Sequence, residues 1–135
     1  MELYGATFLP DSDARMTGTF TVDWIEGGTA IAMRQSVGEG PPEATWIIGR
    51  DESEGGFMVL YADDRCVSRM YHMTFAPPDG LIWRTTRDFS QRFEAVVAPD
   101  GETIKGAWKK SVDGGKTWEH DFNLDYVRIL SEESA

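Results

Sequence analysis

The chain has 135 residues, which suits one domain with a substantial core, and its net charge at pH 7 is −10. That charge repels nucleic-acid phosphates and anionic lipid surfaces, so neither nucleic acid nor a membrane is predicted as a partner. No stretch approaches the roughly 18 apolar residues of a membrane span, and the first residues carry no export signal. Cys66 is the only cysteine, which excludes an internal disulfide and predicts a reducing, cytoplasmic location.

From its start to its end, the chain alternates short β-favouring runs with turn signals. The predicted strands cover residues 3–9, 17–25, 29–37, 44–50, 57–62, 66–75, 81–87, 90–98 and 103–110, with a final arm that ends near 129. No segment of ten or more residues has the i, i+3, i+4, i+7 apolar spacing of an amphipathic helix. The pattern therefore predicts an all-β protein without β-α-β units.

The predicted strands follow one another as hairpins, with no long crossing connection. About ten strands joined in this way would leave two unpaired edges in an open sheet, and closure removes both. We therefore predict a single antiparallel up-and-down β-barrel over residues 1–130, with a central space for one small ligand. Residues 131–135 are predicted to form a disordered acidic tail. A two-layered sandwich is the alternative architecture.

The final hairpin carries the most specific local motif. It resembles the Asp-box hairpin, Ser-x-Asp-x-Gly-x-Thr-Trp, at Ser111, Asp113, Gly115, Thr117 and Trp118. An aspartate can accept hydrogen bonds from turn amides, a glycine permits a positive φ, and the tryptophan ring can cover the base of the hairpin. Asp-boxes are best known from sialidase propellers, where they repeat. Because this one is single, we predict a structural role for it.

A Gly-x-Trp strand at residues 106–108 and two further stretches together resemble a known family. The two stretches read Asp-Asp-Arg-Cys-Val-Ser-Arg-Met-Tyr over residues 63–71 and Phe-Ser-Gln-Arg-Phe over residues 89–93. Together they resemble a bacterial lipocalin-like (calycin-type) β-barrel family of unknown function, distantly similar to nitrobindin-type barrels. The resemblance covers residues from about 17 to 129, and it implies a barrel with an internal pocket and no established reaction.

The strand at 66–75 carries the main candidate for ligand binding. Its odd-numbered residues are the more apolar set, so they are predicted to face the lumen, and they include Arg69 and Tyr71. A buried guanidinium needs a partner, because an unpaired buried charge costs several kcal/mol. Either Arg69 and Tyr71 hold the acidic head of a ligand, or Arg69 pairs with an interior carboxylate or lies at a wet barrel mouth.

Other predicted inward residues complete a candidate pocket. On neighbouring strands Gln91 is predicted to face inward, and Trp83 is favoured over Arg84. Aromatic side chains would cover the apolar body of the ligand, although the same rings would serve equally as plain core. The predicted ligand-binding residues are Arg69, Tyr71, Trp83, Gln91, Trp46, Tyr61 and Trp108.

His120 is the candidate for a cofactor ligand. It has the same parity as Phe122, Leu124 and Tyr126 at the start of the last strand, so its imidazole could enter the lumen and ligate haem iron. This placement is similar to that of the proximal histidine in nitrobindin-type barrels. The alternative is a histidine hydrogen-bonded at the end of the hairpin.

No catalytic motif or metal-ligand spacing occurs, and the paired carboxylates lie in turns, so an enzymatic role is not predicted. We predict non-enzymatic binding of a small, largely apolar or amphipathic molecule, with a carboxylate-bearing one as the specific form. The alternatives are a haem-binding barrel through His120 and a protein-interaction or dimerisation module. The interaction module predicts a filled lumen and an exposed apolar surface. A plugged lumen would argue against both small-molecule binding and haem binding.

Overall fold

A computed structural model of the chain describes residues 1–7, 14–25, 27–36, 42–53 and 55–128, and every regular element in these ranges is a β-strand. The strands, numbered β1 to β11, cover Glu2–Tyr4, Arg15–Thr17, Thr19–Ile25, Ala30–Ser36, Ala44–Asp51, Gly56–Asp63, Ser68–Ala76, Asp79–Arg84, Ser90–Val97, Thr103–Ser111 and Glu119–Val127. Within the described ranges, nothing forms a helix of the length and apolarity that a membrane crossing demands. The predicted tail at 131–135 lies outside the described residues.

The strands form one antiparallel sheet in the order β2-β1-β11-β10-β9-β8-β7-β6-β5-β4-β3. The two strands at the ends of this order, β2 and β3, are consecutive in the chain, and only Gly18 separates them. They therefore act as one bent strand that pairs with β1 through its first part and with β4 through its second. The Gly18 amide donates to the Met1 carbonyl at 2.9 Å. The sheet is thus a nearly closed barrel, and about ten strands surround the lumen, as predicted.

Side chains from both ends of the sheet meet inside the barrel. The rings of Phe20 on β3 and Tyr126 on β11 have centroids 4.8 Å apart, and the Tyr126 hydroxyl donates to Gln35 on β4 at 2.9 Å. A two-layered sandwich would not bring these strands together in one continuous meander. The up-and-down barrel is therefore confirmed.

The predicted Asp-box turn is formed. The Asp113 carboxylate accepts hydrogen bonds from the hydroxyls of Thr117 and Ser111 and from the backbone amides of Thr117 and Lys116. These donors hold the pKa of Asp113 well below its usual range, with the Thr117 hydroxyl as the largest contributor. A Cβ on Gly115, whose φ is +90°, would lie 3.6 Å from the Trp118 ring, so the ring covers the turn. These contacts all lie within the turn, which supports the structural role.

Candidate functional site

Three of the predicted ligand-binding residues meet at one end of the lumen. Tyr71 on β7 is only 1% exposed, and its hydroxyl donates to the Gln91 side-chain oxygen at 2.5 Å. Arg69, two residues earlier on the same face of β7, donates to the same oxygen at 3.4 Å. The inward parity predicted for β7 is therefore confirmed, and Gln91 on β9 reaches both β7 side chains across the intervening strand.

Arg84 on β8 is a member of this cluster that sequence reasoning missed. Its guanidinium carbon lies 5.9 Å from the centroid of the Tyr71 ring, and in the β8–β9 register it stands opposite Gln91. The signal that could have found it is the length of the preceding turn. A two-residue loop joins β7 to β8, with Ala76 opposite Asp79, and the same register carried along the strands brings Arg84 beside Tyr71.

The predicted inward position of Trp83 is wrong for the same reason. Trp83 pairs with His72 on one side and Arg92 on the other, on the outer face of the barrel, and its ring lies 5.5 Å from the His72 ring. Because side chains alternate along a strand, the one-residue error in register exchanged the two faces of β8. Ile82 and Arg84 face inward instead, where Ile82 packs against the core.

Arg69, Tyr71, Arg84 and Gln91 form a donor cluster, which has more hydrogen-bond donors than acceptors. Among the described residues, no carboxylate forms an ion pair with Arg69 or Arg84. In the described ranges, the Nε of Arg84 and the indole Nε1 of Trp46 are both buried without a hydrogen-bond partner. Each guanidinium carries five N–H donors, and unpaired buried donors are costly. An acceptor supplied by a bound anion would relieve this imbalance.

The phenol of Tyr71 acts as a neutral donor in this environment. Burial raises its pKa, while the guanidinium groups of Arg69 and Arg84 oppose that rise. The proton therefore stays on the phenol at neutral pH and is shared with Gln91. A hydrogen-bonding phenol held between two cations favours an anionic guest over a cationic one.

A carboxylate on the strand next to β7 is already occupied. Asp63, at the end of β6, accepts from the Tyr61 hydroxyl at 2.5 Å and from the Arg65 guanidinium. Arg65 is the main cause that lowers the pKa of Asp63 far below its usual range. Asp63 is thus ionised and bound to a different arginine, which leaves Arg69 and Arg84 without it.

Aromatic rings form the floor of the site. The predicted pocket residues Trp46, Tyr61 and Trp108 all lie inside the barrel, but they pack against one another rather than around an open space. Ring centroids are 4.5 Å apart for Trp46 and Tyr61 and 5.8 Å apart for Trp46 and Trp108. The Arg69 guanidinium lies above this floor, 5.9 Å from the Tyr61 ring and 5.6 Å from the Phe89 ring. The middle of the lumen is therefore filled by side chains, which argues against a ligand enclosed there and leaves only the end of the lumen beside Arg69.

A separate cleft of about 480 Å³ lies between the ends of β3, β4, β5 and β6. Its lining includes three carboxylates, from Glu43, Asp63 and Asp64, and one guanidinium, from Arg34. A net negative lining repels anions and does not contain the donor cluster. The charge of this cleft is therefore opposite to that of the donor cluster.

The predicted inward position of His120 is wrong. A β-bulge between β10 and β11 leaves Asp121 as an extra residue, so that Trp108 opposes Phe122 but Lys109 opposes His120. The bulge shifts the parity and turns the histidine to an exposed position, where its Nε2 lies 3.1 Å from the Gly5 carbonyl oxygen. Haem binding through His120 stays a prediction.

The described residues contain no group of three or more His, Cys, Asp or Glu side chains that could hold a metal ion. No protein-family model matches the chain, and no curated protein matches it. The antiparallel barrel itself is consistent with a calycin-like fold.

Proposed function

We propose that the barrel binds a small organic anion, in particular a carboxylate, non-covalently at the end of the lumen. Arg69 and Arg84 would pair with the carboxylate, while Tyr71 and the amide of Gln91 would fix its orientation. The planar, forked guanidinium matches a carboxylate through two parallel hydrogen bonds, which a lysine ammonium cannot offer.

The observation that carries this proposal is the presence of two inward guanidinium groups with no ion-pair partner in the described chain. Arg69 and Arg84 are both half-buried, and an arginine that serves only stability is normally paired to the extent that it is withdrawn from water, because an uncompensated buried charge costs several kcal/mol. Here Tyr71 and Gln91 are arranged around the cations, yet neither supplies a negative charge. A ligand that brings the charge itself is the simplest compensation.

The filled middle of the barrel limits the size of the ligand. Because Trp46 and Trp108 are in contact across the lumen, a long alkyl chain would have to displace them. The apolar part of the ligand is therefore short, an aromatic ring or a few methylenes, and would lie against the rings of Tyr61 and Phe89. The sequence predicted a largely apolar ligand covered by Trp46, Tyr61, Trp83 and Trp108. The proposed ligand is smaller and lies at the end of the lumen.

We also propose that the chain belongs to the bacterial lipocalin-like family that it resembles and that it works in the cytoplasm. The nearly closed antiparallel barrel supports the first proposal. The free, exposed thiol of Cys66 supports the second, since such a thiol persists in a reducing compartment.

The test is a titration of the protein with benzoate and with benzamide, which has a similar shape but no charge, followed by calorimetry and by amide NMR shifts. We expect benzoate to bind at least roughly tenfold more tightly, to shift signals of residues near Tyr71, and to bind more weakly as salt is added. Arg69→Gln and Arg84→Gln should each weaken benzoate binding by roughly tenfold or more.

The matched control is Arg50→Gln, which makes the same change of charge on an exposed arginine of β5 at the opposite end of the barrel. It should leave benzoate affinity unchanged. Equal binding of benzamide, or equal effects of all three substitutions, would show that the donor cluster does not bind the carboxylate.

A further inference from the structure

The strand β3 has an unpaired edge. It pairs with β4 along its whole length and ends the sheet order, so within the described part of the chain nothing pairs with its other side. Four consecutive residues, from Thr21 to Trp24, are exposed, and Val22 is 53% and Trp24 70% exposed. Consecutive exposure on both faces is what an edge strand without a covering neighbour shows. Among the described residues, the edge is therefore open to another strand.

This edge lacks the features that normally prevent pairing between sheets. Residues 19–25 contain no lysine and no proline, and their register with β4 runs without a bulge. Natural edge strands are usually protected by one of these devices. The only charged side chain in the segment is Asp23. An edge of seven residues with two large exposed apolar side chains is suited to pairing with a second strand.

We propose that two copies of the chain associate through their β3 edges, antiparallel about a twofold axis at Val22. In this register Val22 opposes its own copy, Phe20 opposes Trp24, and Thr21 opposes Asp23. On one face Val22 meets its own copy and Trp24 meets the strand position of Phe20, whose ring packs on Tyr126 inside the barrel, and on the other face no like charges meet. A register centred on Asp23 would instead place two carboxylates opposite each other, in a protein whose net charge is already −10.

The proposed contact is small, since seven residues a side is fewer than the roughly 20–30 of a standard stable interface. The dimer therefore forms reversibly, and its population depends on protein concentration. This association does not depend on the lumen site, so it stands or falls separately from anion binding.

The test uses Thr21, whose opposite neighbour in the dimer is Asp23 and whose neighbour within the chain is Arg34 on β4. Thr21→Lys adds an attractive pair with Asp23 twice per dimer, but it repels Arg34 in its own chain. Thr21→Asp repels Asp23 of the other copy and attracts Arg34 in its own chain. Self-association and folding stability should therefore move in opposite directions, which separates a contact between copies from an effect on the fold.

The dissociation constant of the dimer is measured by sedimentation velocity from about ten micromolar to about one millimolar protein, and folding stability by urea unfolding of dilute protein. We expect Thr21→Lys to tighten the dimer by roughly two- to thirty-fold and Thr21→Asp to weaken it by a similar factor. Thr74→Lys and Thr74→Asp make the same charge changes on an exposed position of β7 and control for net charge. A monomer throughout the range for both the natural chain and Thr21→Lys, or Thr21 effects equal to those at Thr74, would overturn the proposal.

Discussion

Trp46 on β5 and Trp108 on β10 stack across the lumen, with ring centroids 5.8 Å apart and ring planes 27° from parallel. Five steps of the sheet separate their strands, which is half of the circuit of about ten strands, so the rings come from opposite walls. The contact ties the two walls together and closes the middle of the lumen. It also sets the depth to which a ligand can enter from the end that carries Arg69 and Arg84.

The first prediction concerns this stacked pair. Trp108→Ala removes a buried ring that contacts Trp46, Tyr71 and Phe93, so it should lower the free energy of unfolding by about 3–5 kcal/mol. Trp24→Ala makes the same chemical change on a ring that is 70% exposed, and it should cost less than about 0.5 kcal/mol in dilute protein. Urea unfolding followed by circular dichroism measures both. Similar losses for the two variants would mean that Trp108 is not part of the core.

The second prediction concerns the four tyrosines at alkaline pH. Burial is the largest cause that raises the pKa of every one of them, Tyr4, Tyr61, Tyr71 and Tyr126. A raised pKa in the folded state stabilises the protein fully below the unfolded value of about 10, and this contribution is lost as pH rises further. Absorbance from the tyrosinate forms of Tyr61, Tyr71 and Tyr126 should therefore stay low at pH 10 and appear together with unfolding.

Tyr126→Phe isolates the contribution of one deeply buried tyrosine. Tyr126 is deeply buried and donates to Gln35, whereas Tyr4 lies near the surface and contacts Asp125. The loss of stability above pH 10 should be shallower in Tyr126→Phe than in Tyr4→Phe. In Tyr4→Phe, ionisation of a tyrosine near pH 10 in protein that remains folded by circular dichroism would be inconsistent with the burial of the other three.

The third prediction concerns Asp63 at acidic pH. Its pKa is lowered in the folded state, first by Arg65 and also by the Tyr61 hydroxyl, so it stabilises the protein above its unfolded value of about 4. That contribution is lost as pH falls through the lower folded value. Asp63→Asn should therefore be less stable than the natural chain at pH 7, and the difference should shrink below about pH 4.

Asp64→Asn is the control, because Asp64 is an exposed residue of the same turn. Its unfolding free energy should follow that of the natural chain across the pH range. Urea unfolding at pH 7, 5, 4 and 3 measures all three proteins. A deficit of Asp63→Asn that remains constant down to pH 3 would show that the carboxylate is not stabilised by its charge.

The sequence predicted the barrel and one wall of the site because alternation along a strand is a local property. The parity of β7 placed Arg69 and Tyr71 inside without knowledge of their neighbours, and the structure confirms it. Parity on β8 depended on the length of one turn, and parity at His120 depended on one extra residue in a bulge. A shift of one residue exchanges the faces of a strand, so Arg84 was missed and Trp83 was misplaced.

The exposure of Val22 and Trp24 on β3 likewise depends on neighbouring strands and not on the local pattern. Phe20, Val22 and Trp24 share one face, and their alternation resembles that of a covered strand. Whether such a face is buried depends on the neighbouring strands, and in the described ranges the part of β3 that holds Val22 and Trp24 pairs on one side only. Sequence pattern describes a strand by itself, whereas burial is a property of the assembled sheet.

The last prediction separates two glycines that lie inside strands. A Cβ on Gly106 of β10 would overlap the ring of Phe93, which lies across the glycine from β9, whereas a Cβ on Gly49 of β5 would meet nothing within 4 Å. Gly106→Ala must displace a buried ring and should cost about 1–3 kcal/mol, while Gly49→Ala should be neutral or stabilise by up to about 1 kcal/mol through the unfolded chain. Urea unfolding measures both changes. Phe93→Leu removes the overlap, so adding Gly106→Ala to Phe93→Leu should cost much less than adding it to the natural chain, and an undiminished cost would mean that Phe93 is not the reason for the glycine.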